Sequence, residues 1–277
     1  MSKPPELETL KVTLDAHIAL VRIDRPGKAN AMSREMWSDL RRAFEWIDAE
    51  DSARVAILGG NGAHFTSGID LAMLAGVASE SDGIGGDCEG RKREKLRRTI
   101  LDLQDCLSSL ERCRKPVIAA IHGACIGGGI DLACCADMRY CSAEAFFSIR
   151  EIDMGMTADV GTLQRLPRLI GDGMMRELAY TGRRFPAEEA RSLGFVNRVF
   201  ATPEELHAGV LEIAAAIAAK SPLAIRGTKE MIAYARDHSV ADGLNYIATW
   251  NAAMLMSRDM QEAMMAEMQK AKPKFRD

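Results

Sequence analysis

The 277-residue sequence lacks any apolar run of the roughly 20 residues that a membrane-spanning helix requires. It also lacks C-x-x-C and H-E-x-x-H spacings, the signatures of common zinc sites. It carries no excess of positive charge, since 36 Lys and Arg stand against 39 Asp and Glu for a formal net charge of −3. We therefore expect no resident metal ion, no nucleic-acid partner and no membrane partner.

Targeting signals are also missing from the two ends of the sequence. The first residues, MSKPPE, contain no apolar signal core, and their acidic residue argues against an organelle transit peptide. The last residues, KFRD, differ from the peroxisomal Ser-Lys-Leu signal. The seven cysteines are odd in number and stand mostly in apolar runs, which is typical of reduced thiols. From these observations we expect a cytoplasmic protein.

The most informative stretch present is AAIHGACIGGGIDL at 119–132. An apolar run at 117–121 predicts a buried strand, and the glycines at 127–129 open a predicted helix with Asp131 in its first turn. Glycines at a helix start leave backbone N–H groups accessible near the positive end of the helix dipole. Such groups can stabilise a developing negative charge, as an oxyanion hole does. A close-packed strand-to-helix turn would need glycine equally, so the triplet alone leaves both interpretations open.

The remaining pattern predicts an α/β protein. Strands and helices alternate to about residue 200, and the sequence then predicts helices at 203–219, 222–236, 239–256 and 259–270. We therefore predict a core over 1–200 and an all-helical region over 201–277. The Gly-, Ser- and acid-rich segment 77–90 predicts a mobile loop. The basic run that follows it is interpreted as the solvated face of a helix ending near Arg112.

Six short motifs together resemble the crotonase (enoyl-CoA hydratase/isomerase) superfamily, and they follow the order of that family over most of the chain. They are DRPGKANA at 24–31, FTSGID at 65–70, KPVIAAIHG at 115–123, GGGIDL at 127–132, GTLQRL at 161–166 and SPLA at 221–224. The resemblance implies a core of ββα units wound as a spiral, with a C-terminal helical region that forms trimers, often paired into hexamers. It also implies an acyl-CoA thioester substrate, whose CoA is part of the substrate and not a separate cofactor.

The resemblance also implies which residues form the site. The backbone N–H groups of Ile69 and Gly128 would bind the thioester oxygen. The residues implied to line the path of CoA are Lys28, Ala29, Asn30, Ala31, Ser67, Gly68, Asp70 and Gly127.

Three acidic residues indicate which branch of the family the sequence is similar to. Hydratases place Glu at the positions of Asp131 and Glu151 and a small residue at that of Asp159. The pattern here resembles the Δ3,5-Δ2,4-dienoyl-CoA isomerases, which implies that Asp159 is the base at C2, that Glu151 is the acid at C6 and that Asp131 orients or tunes them. The chemistry is consistent with this, because C2 and C6 are too far apart for one small side chain to serve both.

Each acid also has a purely structural interpretation. Asp159 could cap a helix beginning at Val160, Asp131 could complement its own helix dipole, and Glu151 could be a surface acid. Two other functions also remain open: an enoyl-CoA hydratase or Δ3-Δ2-enoyl-CoA isomerase, and a crotonase-like protein that binds CoA or RNA without catalysis.

Overall fold

The computed structural model describes residues 2–76 and 88–277. The segment predicted to be a mobile loop, 77–90, therefore lies largely outside the described residues. Its last two residues, Glu89 and Gly90, begin a long helix that ends at Arg112.

Within the described residues, nine strands form two sheets. The larger sheet has the spatial order β1 (Leu10–Asp15), β2 (Ile18–Ile23), β3 (Val55–Gly60), β4 (Val117–Ile121), β6 (Met138–Ser142) and β9 (Arg198–Phe200). The smaller sheet has the order β5 (Ala124–Ile126), β7 (Phe146–Ser148) and β8 (Phe185–Pro186). Only β1 in the larger sheet and β8 in the smaller sheet run antiparallel to their neighbours.

Two alternating apolar runs in residues 10–24, on either side of Asp15-Ala16-His17, predict a hairpin, and the first two strands form it. Asp15 pairs with Ile18, and the two connecting residues, Ala16 and His17, have φ values of 45° and 67°. Two consecutive positive φ values are the geometry of the tight turn that matches the twist of antiparallel strands.

Helices cover the larger sheet on both faces. Successive side chains of a strand point to opposite sides, so each strand contributes to both packing layers. Ile57 and Ile118 pack on one face against Leu206. Leu58 and Ala119, one position further along each strand, belong to the main core on the other face, together with the apolar stripe of the helix over 34–49. All seven cysteines are free, and six of them are buried.

The helices of the first 200 residues are short apart from the first two. They are α1 (Arg34–Ala49), α2 (Glu89–Arg112), α3 (Gly128–Cys134), α4 (Thr162–Arg165), α5 (Pro167–Ile170), α6 (Asp172–Thr181) and α7 (Ala187–Ser192). Two 3-10 turns, Pro26–Lys28 and Glu151–Met154, and a helical segment at 71–76 complete this part.

The C-terminal region is helical, as predicted. Its helices are α8 (Pro203–Ala218), α9 (Pro222–Ala235), α10 (Val240–Met254) and α11 (Arg258–Met268). Helix α8 packs on the sheet and so belongs to the core by its contacts; the division at residue 200 stays a prediction.

No single helix in the described ranges is long and apolar enough to cross a bilayer. Helices α8 and α9 reach that length and composition only as a pair, which is bent by 106°.

Candidate active site

Residues 65–70, the FTSGID motif, pack beside the segment that leads into the glycine turn at 127–129. On one side, Thr66 N–H donates to Ala124 O and Ile126 N–H donates to Thr66 O, at 3.0 and 3.2 Å. On the other side, Met32 N–H donates to Gly68 O at 2.8 Å. The segment thus lies between the chain at 29–32 and strand β5, which leads directly into α3.

Two backbone N–H groups meet at this junction. Met32 and Ile69 form a parallel bridge in which Met32 N–H donates to Gly68 O and Asp70 N–H donates to Met32 O. The N–H of Ile69 itself therefore points away from Met32. The N–H of Gly128, the first residue of α3, has no acceptor within its helix. A Cβ on Gly128 would lie 3.8 Å from Ile69 N, and a Cβ on Gly68 3.6 Å from Gly128 N. The structure therefore brings the two predicted donors side by side.

Asp131 is fully buried in the first turn of α3. Its Oδ1 accepts a hydrogen bond of 2.6 Å from the N–H of Thr162, whereas its Oδ2 has no hydrogen-bond partner among the described residues. Thr162 is the first residue of α4, so Asp131 caps a helix other than its own. Asp131 therefore connects the glycine turn to the segment that carries Asp159.

Glu151 begins the 3-10 turn that follows β7, and its carboxyl group lies against the glycine turn. Its Oε1 is 3.4 Å from the position of a Cβ on Gly127, and its Oε2 is buried without a hydrogen-bond partner in the described part of the chain. Gly127 N–H donates to Ser148 O at 2.9 Å, which holds this turn against the end of β7. Glu151 is thus not the surface acid that its local sequence allows.

Asp159 lies just before α4 but does not cap it. The helix begins at Thr162, and its N-cap residue is Gly161, whereas the sequence suggested a helix from Val160. The carbonyl oxygen of Asp159 accepts a hydrogen bond of 2.6 Å from the side-chain Nε2 of Gln104. The purely structural interpretation of Asp159 as a helix cap is therefore wrong.

The three carboxyl groups share one electrostatic environment. Burial raises the pKa of Asp131 to about 6, the Thr162 hydrogen bond opposes the shift, and the charge of Asp159 adds to it. Burial, followed by the charge of Asp131, raises the pKa of Glu151 to about 7. Burial of the Asp159 carboxyl raises its pKa as well, although the residue as a whole is exposed. Each shift favours the neutral acid, and Glu151 can hold a proton near neutral pH.

The residues predicted to line the CoA path divide into two groups. Lys28, Ala29, Ala31, Ser67, Gly68 and Gly127 lie on the segments that meet at the junction, with Lys28 exposed. The side chains of Asn30 and Asp70 instead bind other parts of the protein. Asn30 is fully buried. Its Oδ1 accepts a hydrogen bond from Arg25 N–H at 2.9 Å, and its Nδ2 donates to Asn61 O and His64 O at 2.9 and 2.7 Å. Asp70 forms an ion pair with Arg25 and accepts a hydrogen bond from the N–H of Ala72.

Sequence reasoning missed Gln104 and Thr162 as partners of the acidic residues. Their contacts span 55 and 31 residues of chain, and neither residue belongs to a local pattern that signals such a contact. Among the described residues, no group of three or more His, Cys, Asp or Glu side chains could hold a metal ion.

Comparisons with known proteins identify the class to which this fold and site belong. Residues 13–277 match the family described as Enoyl-CoA hydratase/isomerase, and the chain belongs to that family. The crystal structure of enoyl-CoA hydratase from Bacillus anthracis is 30% identical in sequence and superposes with a TM-score of 0.86, covering 97% of this chain and 99% of that one. The predicted crotonase-type core with a helical C-terminal region is confirmed.

Within the family, two similar relatives carry the name of one branch. The chain is 48% identical over 269 residues to "Delta(3,5)-Delta(2,4)-dienoyl-CoA isomerase, peroxisomal" of Arabidopsis thaliana, covering 97% of this chain and 96% of the relative. It is 43% identical over 261 residues to the human mitochondrial protein of that name, covering 94% and 79%. The resemblance drawn from the three acidic residues is confirmed.

These two relatives contradict the expected cytoplasmic location. Their names place one in peroxisomes and the other in mitochondria. The prediction rested on two targeting signals that were not found, and the absence of a particular signal does not define a compartment.

We predict that Asn30→Ala destabilises the protein strongly. The change removes three hydrogen bonds and places Ala at a φ of 55°, a conformation that Asn tolerates better. The free energy of unfolding should fall by roughly 3 kcal/mol in urea denaturation. Lys28→Ala, which changes an exposed side chain of the same segment, should change it by less than about 0.5 kcal/mol. Equal stabilities of the two variants would contradict the structural role of Asn30.

A second prediction concerns the stability of Glu151→Gln as a function of pH. The folded protein keeps a proton on Glu151 up to about pH 7, whereas the unfolded chain releases it near pH 4.5. Across that interval the folded state binds more protons, so wild-type stability decreases as pH rises. Glu151→Gln removes this loss. Its free energy of unfolding, relative to that of wild type, should therefore increase by on the order of 2 kcal/mol as pH rises from 5 to 8.

Thermal unfolding at both pH values measures this gain. Asp153→Asn, a change at an exposed acid of the same 3-10 turn, serves as the control and should show no comparable gain. A stability difference between Glu151→Gln and wild type that is independent of pH would show that Glu151 is not the group responsible.

Proposed function

We infer that this protein is a dienoyl-CoA isomerase that converts 3,5-dienoyl-CoA to 2,4-dienoyl-CoA in fatty-acid degradation. The observation that carries the inference is that Asp131 and Glu151 lie at the glycine turn whose N–H group is beside that of Ile69, while burial and the charge of Asp159 raise the pKa of both. The names of relatives at 34–48% identity support the same reaction.

We propose that the N–H groups of Ile69 and Gly128 form the oxyanion hole. A thioester α-proton becomes removable only if the negative charge that develops on the thioester oxygen is stabilised, and one such donor contributes roughly 2.7–4 kcal/mol in comparable sites. Lys28, Ala29, Ala31, Ser67, Gly68 and Gly127 line the proposed path of CoA. Asn30 and Asp70 support that path by holding its segments in place.

In the proposed reaction, protons move at the two ends of the diene. The Asp159 carboxylate removes a proton from C2, and the electrons of that C–H bond form the C2–C3 double bond. The C3–C4 double bond shifts to C4–C5, and the electrons of the C5–C6 double bond take a proton from the Glu151 carboxyl group at C6. Asp159 ends protonated and Glu151 ionised, and proton exchange restores the starting forms.

The environment of the acids supports this division of roles. Glu151, with a pKa of about 7, retains a proton at neutral pH in a substantial fraction of molecules. Asp159 is the more exposed of the two and can remain ionised. Asp131 binds Thr162 at the start of α4, and we propose that it orients the Asp159 segment and adds the charge that keeps Glu151 protonated.

The function is tested by incubating the purified wild-type protein with 3,5-dienoyl-CoA and, separately, with 2-enoyl-CoA and 3-enoyl-CoA, while absorbance is followed. We expect rapid conversion of the dienoyl substrate and much slower conversion of the others. Faster hydration of 2-enoyl-CoA or faster isomerisation of 3-enoyl-CoA would assign the protein to another branch of the family. Binding of all three without turnover would contradict catalysis.

We further predict that Asp159→Asn lowers kcat by about 10²–10⁴-fold, the usual contribution of general-base catalysis. Stability should change little, because Gly161 and not Asp159 is the N-cap residue of α4. Acyl-CoA affinity should also change little, and solvent-deuterium exchange at C2 should slow in parallel with kcat. Asp153→Asn is the control and should retain wild-type turnover. Near-normal turnover of Asp159→Asn would remove Asp159 from the mechanism.

We also propose that the protein forms a trimer or a dimer of trimers through its C-terminal region. Most of the large apolar side chains that are exposed in the single chain belong to helices α9 to α11 and the residues between them. They are Ile232, Val240, Leu244, Met254, Leu255, Met256, Met260, Met264, Met265 and Met268. An apolar surface of this extent is typical of a face buried in an assembly.

Multi-angle light scattering at micromolar concentration should therefore give three or six times the chain mass. The double variant Leu244→Glu with Met264→Glu places charges on this surface and should reduce the mass toward that of one chain. Leu101→Glu, at an exposed leucine of α2, serves as the control and should leave the assembly intact. A wild-type protein that is monomeric and active would overturn this proposal.

A further inference from the structure

Asp159 lies in a segment that has no regular secondary structure of its own. Residues 156–161 connect the 3-10 turn Glu151–Met154 to helix α4. No ladder of backbone hydrogen bonds holds such a segment, so the position of its carboxyl group depends on contacts from other elements.

One face of α2 provides these contacts. Gln104, Ser108 and Glu111 are spaced by four and three residues, which places them on the same side of a helix; we call them the clamp face. Gln104 Nε2 donates to the carbonyl oxygen of Asp159 at 2.6 Å. Ser108 Oγ and Glu111 Oε2 accept from Arg165 Nη2 at 3.1 and 2.8 Å.

Arg165 connects the clamp face to Gly161, the last residue of the Asp159 segment. Its guanidinium group covers Gly161, since a Cβ at Gly161 would lie 1.9 Å from Arg165 Nη1. The ion pair is well shielded from solvent, because the side chains of Arg165 and Glu111 are only 17% and 22% exposed. Glu111 Oε1 in addition pairs with Arg236 of the C-terminal region, so both of its carboxylate oxygens are occupied. Helix α2 thus contacts the Asp159 segment at two places, directly at the main chain of Asp159 and through Arg165 at Gly161.

We propose that the clamp face is a positioning element for the Asp159 carboxylate, with Gln104 as its decisive residue. The proposal rests on the proposed function, in which Asp159 is the base. Gln104 bonds the main chain of Asp159, and in the proposal its effect on the reaction passes through the position of Asp159. A displacement of about 1 Å in a catalytic group can cost 10²-fold in rate, so one hydrogen bond to this main chain can have a large effect on turnover.

The test uses Gln104→Met, which preserves length and helix propensity but removes the N–H donor. We expect kcat for 3,5-dienoyl-CoA to fall by about 10- to 100-fold and KM to change by less than about threefold. Exchange of the C2 proton with solvent deuterium should slow in proportion to kcat. Gln164→Met, the same change at an exposed glutamine of α4, is the matched control and should retain wild-type kinetics.

A double-mutant cycle separates positioning from a general structural effect. Since Gln104 acts through Asp159, Gln104→Met should add less than about threefold to the loss already caused by Asp159→Asn. Independent, multiplicative losses would overturn the proposal. All assays are run below the lowest thermal unfolding midpoint of the set, so that every comparison is between folded proteins.

The outcomes also distinguish this proposal from the proposed function. If the wild-type protein does not isomerise 3,5-dienoyl-CoA, the function itself fails. If wild type is active and Asp159→Asn is impaired, while Gln104→Met keeps the wild-type kcat, only the role of the clamp face is overturned.

Discussion

The candidate site depends above all on the backbone hydrogen bonds that hold residues 65–70 between residues 29–32 and strand β5. These bonds place Ile69 beside Gly128 although about 60 residues separate them in sequence. Strand β5 belongs to the smaller sheet, and residues 65–70 follow β3 of the larger sheet, so the junction is connected to both sheets. The buried side chain of Asn30 stabilises this arrangement through its hydrogen bonds to Arg25, Asn61 and His64.

The same junction concentrates acidic groups where water is scarce. Asp131 and Glu151 each leave one carboxyl oxygen without a partner among the described residues, and burial raises both pKa values. Buried polar groups normally find partners, and an unsatisfied one lowers stability. The arrangement is therefore unfavourable for folding, but it suits the proposed reaction, in which Glu151 donates a proton and Asp159 accepts one. Such a compromise is expected where function opposes stability.

Much of the fold could be predicted, because its signals are local. The hairpin, the glycine turn with Asp131 and all four C-terminal helices follow from alternation, apolar periodicity and glycine positions. The identities of the three acids were likewise sufficient to indicate the branch of the family. The cytoplasmic location was wrong, and the helix start near Asp159 was misplaced by two residues because the N-cap residue is Gly161 and not Asp159.

The sequence by itself determined which residues could do chemistry, since a side chain's functional groups and a segment's periodicity are properties of the chain. Only the tertiary structure decided what each residue contacts. It assigned Asn30 and Asp70 to internal bonds, made Asp131 the cap of a distant helix, and brought Gln104 to the main chain of Asp159. The pKa shifts have the same origin, because desolvation and the proximity of charges exist only after distant segments have packed together.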